Sequence, residues 1–128
     1  MRLVRHFSPF DTASRESAHD WTPPVDIFEK GDDLIVRVEL PGVDKDDIHV
    51  AVEDQVLVIE GERKRDDRIK DQNAYLLERN CGSFARRFRL SDAVDASRIG
   101  AAYRNGVLEL TLPKAEAAKP RKIEIQAA

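Results

Sequence analysis

The 128-residue chain contains one cysteine, one tryptophan, two tyrosines and five phenylalanines. A lone Cys81 cannot staple the chain to itself, which excludes a disulfide scaffold and fits a reducing cytoplasm. No apolar run approaches the roughly 20 residues of a membrane-spanning helix, and residues 1–7 lack the continuous apolar stretch of a signal peptide. His6, His19 and His49 are scattered, with no Cys/His clustering at zinc spacing. Neither a glycine-rich phosphate loop nor a Gly-x-Ser-x-Gly elbow is present. An enzyme, a metal and a cofactor are therefore not expected. The net charge of −3 arises from 21 basic and 24 acidic residues interleaved along the chain. Without a basic block, nucleic acid is not an expected partner either.

What the chain does have is a high charge content, 35%, around a modest apolar complement. Its length suits one domain with flanking arms. The most informative stretch is 101–113. Asn105-Gly106 suits the two positive-φ positions of a type I′ turn. After it, Val107, Leu108, Leu110 and Leu112 alternate partly with Glu109 and Thr111, and Pro113 ends the strand. Similar two-residue alternation places Leu34, Val36, Val38 and Leu40 on one face, followed by a Pro41-Gly42 turn. Ile48, Val50 and Val52 alternate with His49, Ala51 and Glu53. Residues 56–59 read as a compact strand ended by Gly61. Short strands separated by turn signals predict an all-β sandwich.

Three segments stand outside that pattern. Residues 1–22 carry Leu3, Val4, Phe7, Phe10 and Trp21 without a sustained period, and are expected to form a flexible, apolar-studded arm. Pro23-Pro24 marks its end, and the sandwich is expected over 23–113. Residues 60–73 are a charged loop, long enough to be functional, followed by a short strand expected at Tyr75, Leu76 and Leu77. Residues 114–128 are a spacer carrying Ile123-Glu124-Ile125, which could plug a groove. Within 83–90, Arg86 falls on the face of Phe84, Phe88 and Leu90, so its guanidinium needs a partner. It either snorkels at a sheet rim or pairs across a subunit interface.

The combination Ala101-x-x-x-Asn105-Gly106-Val107-Leu108 resembles the signature near the end of the α-crystallin domain of small heat-shock proteins. The likeness to the bacterial and plant members extends over Trp21-Thr22-Pro23, the Glu39-Leu40-Pro41-Gly42-Val43 turn and residues 56–64. It continues through Glu78-Arg79, Gly82-Ser83-Phe84, residues 86–90 and Ile123-Glu124-Ile125. The resemblance implies an immunoglobulin-like β-sandwich and an ATP-independent holdase that keeps unfolding client proteins from aggregating. It implies dimers by strand exchange through Tyr75, Leu76 and Leu77, with Arg86 near the interface. It also implies higher homo-oligomers in which Ile123 and Ile125 anchor in a groove lined by Ile48, Val50, Val52, Ile99 and Ala101. Leu3, Val4, Phe7 and Phe10, apolar residues without a core to join, are the expected client contacts. The rival expectation is an adaptor or scaffold using the same sandwich for one defined partner, since fold alone does not fix function.

Overall fold

A computed structural model describes residues 10–12 and 19–127. Among these, eight strands form two four-stranded antiparallel sheets with almost no helix. The strands are β1 (Phe10–Thr12), β2 (Val25–Lys30), β3 (Asp33–Glu39), β4 (Ile48–Glu53), β5 (Val56–Arg63), β6 (Gly82–Leu90), β7 (Gly100–Arg104) and β8 (Val107–Pro113). One sheet has the order β1-β6-β5-β4 and the other β2-β3-β8-β7. The all-β sandwich expected from the alternation is therefore what the chain adopts.

The alternation becomes a core because the period of a strand sends every second side chain to the same face. Leu34, Val36, Val38 and Leu40 meet Leu108, Leu110 and Leu112 from the paired β8, all buried. From the other sheet come Leu57 and Ile59 of β5 and Phe84, Phe88 and Leu90 of β6. Burial of each such side chain stabilises by roughly 1.5–3 kcal/mol. The β7–β8 hairpin turns at Asn105 (φ 54°) and Gly106 (φ 78°), the geometry whose twist matches paired strands. Gly106 also accepts from the Leu40 N–H at 2.7 Å, locking this hairpin to the Pro41-Gly42 corner.

Several boundaries differ from the sequence reading. Gly61 does not end β5, which continues to Arg63. A Cβ at Gly61 would lie 2.0 Å from the Asp47 carbonyl oxygen and 2.9 Å from Phe84, so the glycine serves a close approach of backbones instead of a break. Trp21, expected in the arm, is buried and donates its indole N–H to Gly82 O at 3.0 Å. Phe10, also expected in the arm, has its backbone in β1, opposite Leu90 of β6. Leu3, Val4 and Phe7 lie outside the described residues. The start of the expected spacer is tied to the sandwich. The Lys114 and Ala115 N–H groups donate to Asp32 O and Ala93 O, and Lys114 pairs with Glu29 at 3.0 Å.

Candidate association site

Among the described residues each sheet leaves a strand edge unpaired on the same side of the sandwich, β4 in one and β7 in the other. A cleft of about 480 Å³ opens between them, lined by Lys45, Ile48 and Val50 on one side and by Ala101, Ala102 and Tyr103 on the other, with Leu108 also lining it. Alternation explains the first wall: Ile48, Val50 and Val52 are half-buried, while His49, Ala51 and Glu53 are exposed. Small side chains at Ala101 and Ala102 leave the second wall low. Of the residues expected here, Ile48, Val50 and Ala101 line the cleft; Val52 and Ile99 pack on the core beside it.

Tyr103 was not singled out by sequence, yet its hydroxyl has a defined place. The oxygen lies 2.5 Å from Leu40 O and 2.9 Å from Val43 O, so its single proton is shared between two carbonyls of the corner that follows β3. That corner leads into the short 3₁₀ turn Lys45–Asp47 and then into β4. A tyrosine among aliphatic strand residues carries no sequence signal that its hydroxyl reaches some 60 positions back.

Ile123 and Ile125, the expected occupants, are largely exposed in the single chain. Tyr75, Leu76 and Leu77 are also exposed and form no strand within this chain. Their loop is shaped by its own side chains. Asp66 accepts from the Arg68 N–H and guanidinium, and these hydrogen bonds hold its carboxyl well below the usual range. Asn73 accepts from the Lys70 N–H at 2.7 Å and donates to Arg68 O at 3.0 Å. At the opposite edge of its sheet, β2 pairs only with β3 among the described residues and presents a further open edge. Beside it the exposed Phe28 ring lies under the Arg37 guanidinium at 5.1 Å, and Arg37 pairs with Glu109 at 2.7 Å.

Arg86 does fall on the inward face of β6, opposite Ile59. Its guanidinium donates to Pro23 O at 2.8 Å and lies 5.1 Å from the Phe88 ring centre. Arg63 sits within a charged run, where a basic residue reads as solvated, but is buried. It donates to Asn80 O at 3.1 Å and so joins the two ends of the long loop. Among the described residues no cluster of His, Cys, Asp and Glu could hold a metal ion, and no helix is long and apolar enough to cross a membrane.

The Hsp20/alpha crystallin family pattern matches residues 26–126. The chain is similar to the 16.9 kDa class I heat shock protein 1 of Triticum aestivum, with 40% identity over 91% of this chain and 86% of the wheat protein. Among solved structures it resembles a small heat-shock protein from Xylella fastidiosa, described as having a distinct high order structure. The TM-score is 0.72 at 39% identity, over 84% of this chain and 99% of that one. The hspA protein of Xanthomonas axonopodis gives a TM-score of 0.67 at 44% identity, over 73% of this chain and 94% of that one. Small heat-shock proteins are ATP-independent chaperones, not enzymes, and they form homo-oligomers. On the sandwich and a match spanning β2 to the tail, this chain belongs to the Hsp20/alpha crystallin family.

Proposed function

We propose that the chain is a cytoplasmic holdase that binds unfolding proteins and keeps them from aggregating without nucleotide. The observation that carries this reading is the amount of apolar, association-ready surface in a single chain. The cleft between β4 and β7 is open, while Tyr75, Leu76, Leu77, Ile123 and Ile125 are exposed. Open strand edges and exposed apolar segments invite association.

In this reading, Tyr75, Leu76 and Leu77 cross to the open β2 edge of a second copy, with Arg86 near the junction. Ile123 and Ile125 enter the cleft of another dimer. Leu3, Val4, Phe7 and Phe10, in an arm over residues 1–22, take up clients. Apolar burial stabilises by about 25 cal/mol per Å² without regard to partner shape, which suits varied clients.

The test is light scattering of several unrelated proteins heated with and without the chain, in the absence of nucleotide. Suppression across all of them is expected. Protection of one client alone would favour a dedicated adaptor, and a requirement for ATP would overturn the holdase reading.

A further inference from the structure

We infer that Tyr103 is a positioning residue whose hydroxyl sets the width of the β4–β7 cleft and thereby its preference for isoleucine. The inference rests on the proposed docking of the tail in that cleft. Tyr103 belongs to one wall, through β7. Its hydroxyl holds Leu40 O at 2.5 Å and Val43 O at 2.9 Å. Leu40 follows β3, in the same sheet as Tyr103, whereas Val43 O stands at the root of the opposite wall, because the next residue, Asp44, caps the turn that carries Lys45 and delivers Ile48 to β4. The Asp44 carboxylate accepts from Asp46 N–H, and Asp44 O accepts from Asp47 N–H at 2.8 Å, so the turn is stiff.

No strand pairing joins β4 to β7, since they belong to different sheets. The contact with Val43 O therefore forms a polar tie between the two walls, in a cleft whose other polar lining residue is Lys45. A hydroxyl in a half-buried site gains more from its acceptors than one in water, because the local dielectric is low. A preformed cleft saves the ordering that an extended ligand would otherwise have to impose. Loss of the hydroxyl leaves the ring in place but lets the walls separate.

The experiment uses the full chain carrying Ile123→Ala and Ile125→Ala, so that its own tail leaves the cleft free. A fluorescent peptide of residues 119–128 is titrated against this parent and against the parent with Tyr103→Phe. A second peptide has valine at both isoleucine positions. The expected result is a Kd for the isoleucine peptide raised about five- to tenfold by Tyr103→Phe, the scale of one hydrogen bond. The ratio of the two peptides' Kd values should fall toward one, a change in selectivity that simple loss of stability does not produce. Equal Kd values and an unchanged ratio would overturn the role of Tyr103 alone. No binding to the parent would overturn tail docking, and the role of Tyr103 with it. Tyr103→Met, with a flexible apolar side chain of similar reach, is the second variant; failure of both to fold would assign Tyr103 to the fold and refute the inference.

Discussion

The guanidinium of Arg63 lies 4.0 Å from the centre of the Trp21 ring, placing a cation between the end of β5, where the long loop begins, and the tryptophan that precedes β2. Arg63 is 7% exposed, donates one hydrogen bond to Asn80 O, and has no partner for Nε among the described residues. Three distant parts of the chain, at residues 21, 63 and 80, thus meet on one side chain.

Substituting Arg63 separates packing from charge. A desolvated cation–π contact contributes up to about 2 kcal/mol, and the bond to Asn80 O about 1 kcal/mol. Arg63→Ala is expected to destabilise by about 2–3 kcal/mol in urea denaturation. Arg63→Met loses the same cation–π contact and hydrogen bond but keeps the apolar stem over Trp21, so its loss should be smaller by the packing of that stem. Equal losses would mean that the cation, and not the stem over Trp21, carries the contribution.

Glycines at two strand positions should respond oppositely to alanine. At Gly61 a methyl group would collide with the Asp47 backbone at 2.0 Å, and with Phe84. Gly61→Ala is expected to destabilise by about 1–3 kcal/mol or more, as overpacking does. Gly100, on β7, has open space where a methyl group would stand. There alanine should be neutral or stabilise by up to about 1 kcal/mol, through a less flexible unfolded chain. Thermal unfolding of both variants measures the contrast.

The β4–β5 turn offers a gain instead of a loss. Asp54 (φ 50°) and Gln55 (φ 65°) both occupy the left-handed region without being glycine. The hairpin requires this geometry, and Asn-Gly meets it with less strain. Asp54→Asn combined with Gln55→Gly should stabilise by about 1 kcal/mol in urea denaturation. No gain would show that the greater freedom glycine gives the unfolded chain offsets the strain it relieves.

These residues also show what a sequence makes legible. Period-two alternation is local, so β3, β4 and β8 and the Asn105-Gly106 turn could all be read directly, whereas a groove beside Ile48, Val50 and Val52 was implied only by the family resemblance. Arg63 could not, because a basic residue in a run of mixed charge reads as solvated, and only the fold brings Trp21 and Asn80 to it. Gly61 read as a stop because glycine more often interrupts a strand than admits a neighbouring backbone. Asp54-Gln55 lacks the usual turn residues, and Tyr103 acts through carbonyls, which have no side-chain signature.

Acid should loosen the long loop only well below neutrality. The Arg68 hydrogen bonds lower the Asp66 pKa in the folded chain. A lowered carboxyl pKa contributes stability above its unfolded value, near 3.8, and that contribution is lost as pH falls through the folded value. Both groups are solvent-exposed, so the effect is local. NMR titration of the Asp66 carboxyl should show it still ionised at pH 3.5, and Arg68→Ala should return it toward 3.8. Titration near 3.8 in the unsubstituted chain would dismiss the pair as a loop constraint.

The last prediction concerns how far the tail reaches. Lys114 and Ala115 are held by Asp32 O, Ala93 O and Glu29, and residues 116–119 form a short turn closed on itself by the Lys119–Glu116 pair. This leaves residues 116–122 as the tether before Ile123, a span of at most about 25 Å when extended. A short tether gives a high effective concentration for a groove at the right distance and almost none for one beyond it. The tail should therefore select one neighbour geometry. Ile123→Ala with Ile125→Ala is expected to leave folded dimers and abolish the larger assembly, because two isoleucines contribute roughly 3–6 kcal/mol per contact. Inserting Gly-Ser-Gly-Ser after Pro120 keeps both anchors but frees their direction, so the assembly should persist with a broadened distribution of sizes. Native mass spectrometry reads both outcomes. An unchanged mass in the double-alanine variant would remove the tail as the link, and an unchanged size distribution after the insertion would remove the tether as the selector.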